Sequence, residues 1–143
     1  MSVLGQKLSP PIPLRPSADA HGQVTEEEAR AMLRAVLNLF EKWELSKDER
    51  LTLLGGVSDR TYQRWRAGEI GPLSRDTVFR LGTLLGIHKA LRYMFQDVQH
   101  TYGWVKRPND VFGGKSALDL MLQGSPLDIS RVRSYLDAER SGW

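Results

Sequence analysis

The sequence predicts an all-α fold, because three kinds of helical signal recur along most of the chain. Apolar residues repeat at spacings of three and four, which places them on one side of a helix. A serine or threonine precedes several of these repeats, where its hydroxyl can cap the first turn. Glycine follows several of them, where it can end a helix in a left-handed conformation. The capping residues are Thr25, Ser58, Ser74 and Ser116, and the terminal glycines are Gly68, Gly86 and Gly124.

The stretch 45–71 predicts two short helices joined at a tight corner. Leu51 and Leu54 give the first helix an apolar side. Gly55 and Gly56 follow directly, and glycine accepts the positive φ that such a corner needs. A second helix begins after the corner and ends near a glycine, so the layout is that of a helix-turn-helix.

The second helix of this stretch separates an apolar side from a polar, arginine-rich side. Tyr62 and Trp65 lie three residues apart and are predicted to face the core. The polar side carries Asp59, Arg60, Gln63, Arg64 and Arg66. In a helix-turn-helix, such an outer face enters the major groove of DNA. An ordinary helical hairpin with solvated arginines is the alternative that this pattern leaves open.

These positions resemble the Xre-type DNA-binding domain, in which a Leu-Gly-x-Val-Ser pattern opens the recognition helix and a tryptophan followed by glycine closes it. The matching residues are Leu54, Gly55, Val57, Ser58, Trp65 and Gly68. The candidates for base reading are Asp59, Arg60, Gln63 and Arg64, and the candidates for phosphate contacts are Lys47 and Arg66. An acidic Asp59 at the helix start repels phosphate, which lowers the expected affinity for DNA.

Size and composition bound the function classes. A chain of 143 residues accommodates one domain, or two small ones that share a core. Its 41% hydrophobic and 26% charged residues are typical of a soluble globular protein. Cysteine is absent, so neither a disulfide framework nor a thiolate site is predicted. No apolar run approaches the roughly 20 residues that span a bilayer, and the N-terminus lacks the apolar core of a signal peptide, so we predict a cytoplasmic location.

Positive charge concentrates in the middle of the chain. The net charge of +3 and the isoelectric point near 9.4 favour an anionic partner. Residues 46–73 hold five basic and four acidic residues, and residues 74–115 hold seven basic and three acidic, a net +4. Residues 116–143 hold three basic and four acidic residues. This distribution predicts a nucleic-acid surface in the middle and a different kind of partner at the C-terminus.

The first 23 residues contrast with the segment that follows. Four prolines between residues 10 and 16 forbid a regular helix, so we predict a flexible leader over residues 1–23. Thr25 and Glu28 then form a capping box, which starts a long first helix that ends near Trp43. We take residues 24–102 as the helix-turn-helix domain.

Residues 72–102 predict two further helices. Ser74 caps the first, which Gly86 ends, and the second runs from Lys89 to Tyr102. The residues predicted to face the core are Val78, Leu81 and Leu85 in the first helix and Leu91, Met94, Phe95 and Val98 in the second. His88 and His100 lack the i, i+4 spacing of a two-histidine metal face, so no metal site is predicted.

The remaining segment, residues 103–143, predicts a small helical domain. Proline and glycine pairs mark loops at residues 108–109 and 113–114. Ser116 caps a short helix, and the last helix runs from about Asp128 to Glu139.

This C-terminal segment resembles the toxin-binding domain of the Xre/MbcA/ParS antitoxins. The matching residues are Trp104, Pro108, Asn109, Phe112 to Gly114, Ser116 to Met121, Gly124, Val132, Tyr135 and Leu136. Together with the helix-turn-helix pattern, the resemblance covers residues 25–143. It implies an antitoxin that forms a homodimer, represses its own operon and neutralises a RES-domain toxin, which consumes NAD or transfers ADP-ribose from it.

In such antitoxins the C-terminal segment plugs the NAD cleft of the toxin. The candidate toxin-binding residues are Tyr135, Glu139, Arg140, Ser141, Gly142 and Trp143. Arginine and tryptophan are enriched at binding hot spots, which is compatible with a plug, whereas a frayed terminus is the alternative. A stand-alone helix-turn-helix transcription regulator without a toxin partner is the second functional hypothesis. An enzyme is not predicted, because these residues assemble no activated nucleophile, carboxylate pair or metal cluster, and no cofactor is implied.

Overall fold

The computed structural model describes residues 24–141, and seven α-helices follow one another in this part of the chain without a strand. Their bounds are α1 Glu26–Lys42, α2 Lys47–Leu53, α3 Asp59–Arg66, α4 Arg75–Met94, α5 Val98–Gly103, α6 Ala117–Met121 and α7 Pro126–Arg140. Single 3-10 turns at Trp104–Lys106 and Asp110–Phe112 lie between α5 and α6. The predicted all-α fold is confirmed. The predicted leader, residues 1–23, lies outside the described residues, as do Gly142 and Trp143.

Helix α1 begins at the predicted capping box. The backbone N–H of Glu28 donates to the Thr25 hydroxyl over 3.0 Å, and the N–H of Thr25 donates to the Glu28 carboxylate over 2.8 Å. This exchange satisfies two donors that the start of a helix leaves unpaired. One side of the helix, which includes Leu33, Val36 and Phe40, is buried in the core, and the opposite, charged side is exposed to solvent.

Helix α4 is the central element of the fold. It packs against α1 and, most extensively, against α7. Helices α4 and α7 run in the same direction. Arg80, near the start of α4, donates to the carbonyl oxygen of Gly124 just before α7, and Arg133, midway along α7, donates to the carbonyl oxygen of Gly82 over 3.5 Å. The C-terminal half therefore lies directly on the last helix of the N-terminal half.

The predicted end of a helix at Gly86 is wrong, because α4 continues through this residue to Met94. A Cβ atom at Gly86 would lie 2.5 Å from Cζ of Arg133 on α7. Glycine inside a helix costs about 1 kcal/mol relative to alanine, yet here it admits a side chain of the neighbouring helix. Gly86 is a packing position rather than a cap.

The predicted single helix from Lys89 to Tyr102 is also wrong. Helix α4 ends at Met94, Phe95 takes an extended conformation, and the carboxylate of Asp97 caps the new helix α5. This break changes the phase of the helical repeat. Val98, predicted to face the core, is consequently 61% exposed.

One hydrophobic core extends from α1 to α7. Its largest fully buried side chains include Phe40, Trp43, Tyr62, Leu81, Ile87, Met121 and Ile129. A hydrogen bond at the surface also joins the two halves of the chain. The ammonium of Lys106 donates to the backbone carbonyl oxygen of Glu44 over 2.7 Å. Among residues 24–141, none of the helices combines the length and the apolar character needed to cross a membrane.

Candidate nucleic-acid interface and partner-binding tail

The corner between α2 and α3 has the backbone geometry that the glycine pair predicts. Gly55 and Gly56 have φ angles of +103° and +79°. At Gly55 space is also limited, since a Cβ atom would lie 3.1 Å from Nε of Arg80 and 3.2 Å from a carboxylate oxygen of Asp76. Ser58 then caps α3 by accepting a hydrogen bond from the backbone N–H of Thr61. These features position α3 at a defined angle to α2, as in a helix-turn-helix.

Arg50 holds the helix-turn-helix together from within. Its guanidinium donates to the Tyr62 hydroxyl over 3.0 Å, to the Glu41 carboxylate over 2.6 Å and to the backbone carbonyl oxygen of Leu45 over 3.0 Å. The hydrogen bond and charge of Arg50 lower the pKa of Glu41. Because these partners lie on α1, α3 and the loop before α2, one side chain fixes the three helices relative to one another.

The sequence did not indicate this role for Arg50. The pattern placed Tyr62 in the core, and its side chain is 2% exposed. Trp65, the other predicted core residue of α3, is only half-buried. One local feature could have drawn attention to Arg50, which lies three residues before Leu53 and four before Leu54, on the apolar side of a short helix.

The start of α3 carries a small network of charged and polar groups at the surface. Lys47 at the start of α2 lies 3.1 Å from the carboxylate of Asp59, and the side-chain amide of Gln63 donates to the same carboxylate over 3.3 Å. The hydrogen bond from Lys47, followed by that from Gln63, lowers the pKa of Asp59. The negative charge predicted to repel phosphate thus has a cation of the same molecule beside it.

The three arginines of α3 differ in their surroundings. Arg64 lies 3.5 Å from the carboxylate of Glu69, and the guanidinium of Arg66 lies 5.9 Å from the centre of the Tyr62 ring. Arg60 is exposed and forms no hydrogen bond or ion pair with any of residues 24–141. Of the six predicted DNA-binding residues, all are exposed, and Lys47, Asp59 and Gln63 come together in one network.

In the C-terminal half, three aromatic rings form a compact cluster. Tyr135 on α7 stacks on Trp104 with 6.5 Å between the ring centres, and Phe112 approaches both rings edge-on at 5.6 and 6.2 Å. Burial, with a smaller contribution from the charge of Glu139, raises the pKa of Tyr135. The ring of this predicted toxin-binding residue is therefore engaged in the domain's own packing, and only part of it remains accessible.

Three of the predicted tail residues lie at the surface at the end of α7. Glu139, Arg140 and Ser141 are exposed, and the Ser141 hydroxyl donates to the carbonyl oxygen of Asp137 over 2.8 Å. The guanidinium of Arg140 lies 5.3 Å from the centre of the Tyr93 ring on α4. Tyr93 did not figure among the predicted site residues. Its contact partner lies 47 positions further along the chain, so local spacing carried no signal for it.

Within residues 24–141, no group of histidine and acidic side chains is arranged to hold a metal ion. His88 stacks on Tyr102 with 5.4 Å between the ring centres. Its Nδ1 atom is buried without a hydrogen-bond partner in the described part of the chain, and burial, followed by the charge of Arg92, lowers its pKa. This histidine is a packed, preferentially neutral side chain.

Comparison with known proteins assigns both halves of the chain. Residues 22–86 match the family of the antitoxin Xre-like helix-turn-helix domain, and residues 90–142 match the antitoxin Xre/MbcA/ParS C-terminal toxin-binding domain. The predicted boundary after residue 102 stays a prediction. Both families are binding domains and not enzymes, in agreement with the sequence analysis.

A relative among curated proteins is the uncharacterized protein y4oB of Sinorhizobium fredii, which is 46% identical over 112 residues. This similarity covers 78% of the present chain and 86% of the relative. No solved structure matches the chain. With a helix-turn-helix followed by a toxin-binding domain, the chain belongs to the Xre/MbcA/ParS-type antitoxins.

Proposed function

We propose that this antitoxin neutralises a RES-domain toxin by placing its C-terminal segment in the toxin's NAD cleft. The observation that carries the proposal is the extent of the matched toxin-binding domain, which runs to residue 142 and so includes the exposed end of α7. A binding domain that extends to such a projecting end suits a partner with a concave surface.

The packing of α7 supports this role mechanically. Ile129, Val132 and Leu136 are fully buried against the core, so the helix forms a firm base for the residues that follow it. A tail that leaves a rigid helix loses less conformational entropy on binding than one that leaves a mobile chain. Neutralisation by occlusion then needs no chemistry from the antitoxin, because filling the cleft excludes the substrate.

The residue types of the tail fit a cleft built for a dinucleotide. Arg140 offers a planar guanidinium that can pair with a carboxylate of the cleft through two parallel hydrogen bonds. Trp143 adds a large aromatic anchor of the kind that dominates binding energy at many interfaces. We include Tyr135, Glu139, Ser141 and Gly142 in the same contact surface.

We further propose that α3 binds operator DNA and that the antitoxin represses its own operon as a dimer. Asp59, Arg60, Gln63 and Arg64 face the bases, while Lys47 and Arg66 contact phosphates. The helix-turn-helix match and the exposure of all six side chains support this assignment. Two copies of α3, one per protomer, would enter successive major grooves about 34–36 Å apart. This activity implies a cytoplasmic protein.

Two variants separate the activities. Deletion of residues 140–143 should abolish protection of cells that express the cognate toxin, while operator binding in a gel-shift experiment stays intact. The double variant Arg60→Ala, Arg64→Ala should do the opposite. If the shortened antitoxin still protects cells completely, the plug is wrong. If no toxic neighbour gene exists and the protein only binds DNA, the chain is a stand-alone regulator.

A further inference from the structure

Tyr93 is an exposed aromatic side chain at the base of the tail. It lies in the last turn of α4 and is 74% exposed, the largest fraction among the exposed large hydrophobic residues within 24–141. Scattered exposed aromatic residues are common on monomeric proteins. Tyr93 differs because the guanidinium of Arg140 lies over its ring at 5.3 Å from the centre.

The fold brings these two residues together through the parallel packing of α4 and α7. Gly86 admits Arg133, and Ala90 is fully buried one turn later. These small side chains let α7 approach α4 closely, so both helices end side by side. Tyr93 follows Ala90 by three residues, and Arg140 follows Arg133 by seven, which places each on the same face of its helix. The contact is thus a consequence of the helix packing.

The surface near Tyr93 carries more cations than carboxylates. Lys89 and Arg92 are exposed on the same two turns of α4, and Arg140 on α7 adds a third cation, next to the exposed carboxylate of Glu139. Asp137 on α7 already lies 3.5 Å from Arg133. A tyrosine surrounded by cations combines an apolar body with donors, a composition that is enriched at protein interfaces and complements an acidic partner.

We propose that Tyr93 and Arg140 together form a contact surface for the toxin at the rim of its cleft. This inference rests on the proposed plug and extends it from the tail to α4. The toxin-binding match begins at residue 90 and therefore includes the last turn of α4. The Tyr93 ring packs into an apolar recess of the toxin, and carboxylates beside that recess pair with Arg140, Lys89 and Arg92.

The test measures the Kd between full-length antitoxin variants and a purified, catalytically inactive form of the cognate toxin. Tyr93→Ala should raise Kd about tenfold or more, as expected for an aromatic hot spot, and Tyr93→Phe should stay within about threefold because the ring remains. Phe79→Ala is the matched control. Phe79 is also an aromatic residue of α4, 48% exposed, but it lies outside the toxin-binding match.

The comparison with tail deletion distinguishes the two proposals. If deletion of residues 140–143 weakens binding but Tyr93→Ala does not, the plug stands and the extension to α4 is wrong. If neither change affects Kd, both are wrong. If Tyr93→Ala weakens operator binding and leaves Kd for the toxin unchanged, the patch contacts DNA and the inference fails. Melting curves confirm folding, and Tyr93→Ser provides a second truncation of the ring.

Discussion

The guanidinium of Arg80 donates a hydrogen bond over 2.9 Å to the carbonyl oxygen of Gly124, 44 residues further along the chain. The same side chain, 7% exposed, lies 2.9 Å from the carboxylate of Asp76 one helical turn earlier. Gly55 lies against this ion pair from the side of the helix-turn-helix. One buried arginine therefore contacts the corner of the helix-turn-helix and the loop before α7.

We predict that Arg80→Met lowers the free energy of unfolding by about 1–2 kcal/mol, because it removes a charged donor from the carbonyl oxygen of Gly124 and from the Asp76 carboxylate, which is itself 53% exposed. Urea denaturation followed by circular dichroism measures the change. Arg75→Met on the exposed first turn of the same helix is the control, and it should change stability by less than about 0.5 kcal/mol. Equal effects of the two substitutions would mean that the Arg80 contacts add nothing to stability.

A second prediction concerns the orientation of α3. Tyr62→Phe removes only the hydroxyl that accepts from Arg50, and we expect a loss of about 1 kcal/mol in the free energy of unfolding. Operator affinity should also fall when both proteins are fully folded, because the substitution loosens α3 against α1 and α2. Titration of operator DNA at a temperature where both proteins are fully folded checks this. Unchanged affinity would show that helix packing alone orients α3.

The lowered pKa of His88 predicts a pH dependence of stability. Between its folded-state pKa and its ordinary value near 6.5, the unfolded chain binds a proton that the folded chain does not. The free energy of unfolding should therefore decrease as the pH falls through about 6.5. Above that value both states are neutral at this position and the effect vanishes.

Urea denaturation between about pH 5 and pH 8 measures this decrease. His88→Phe keeps a ring to stack on Tyr102 and removes the titrating group, so its stability should vary less over the same range. His100→Phe is the control, since His100 is exposed. An identical pH profile for His88→Phe and the natural protein would contradict the prediction.

Four of the helix starts were predictable because their causes are local. Thr25, Ser58, Ser74 and Ser116 each accept a hydrogen bond from a backbone N–H three residues ahead, as the capping patterns indicate. The wrong prediction of a helix end at Gly86 has a non-local cause. Whether a glycine ends a helix or admits a neighbour depends on Arg133, 47 residues away, and no local pattern contains that information.

The candidate sites also depend partly on local spacing and partly on contacts between helices. The outer face of α3 follows from spacing within eight residues, and its five predicted residues are all exposed. Arg50, Arg80 and Tyr93 acquire their roles from contacts between helices, so the sequence alone left them unassigned. Arg140 of the predicted tail is exposed, and its contact with Tyr93 follows only from the packing of α7 on α4.

The last prediction concerns Asp59, whose charge faces the same surface as the candidate DNA contacts. Asp59→Asn keeps an oxygen that accepts from Gln63, removes a negative charge and releases Lys47 from its ion pair. Affinity for unrelated DNA should therefore rise severalfold, and the salt dependence of this binding should steepen by about one released counterion. Binding to operator and to unrelated DNA at several salt concentrations measures both quantities, with Asp110→Asn on the exposed C-terminal loop as a control of equal charge change. Operator affinity should not share this rise, because the proposed base-reading carboxylate can accept a hydrogen bond from cytosine. An equal rise for operator and unrelated DNA would show that Asp59 reads no base.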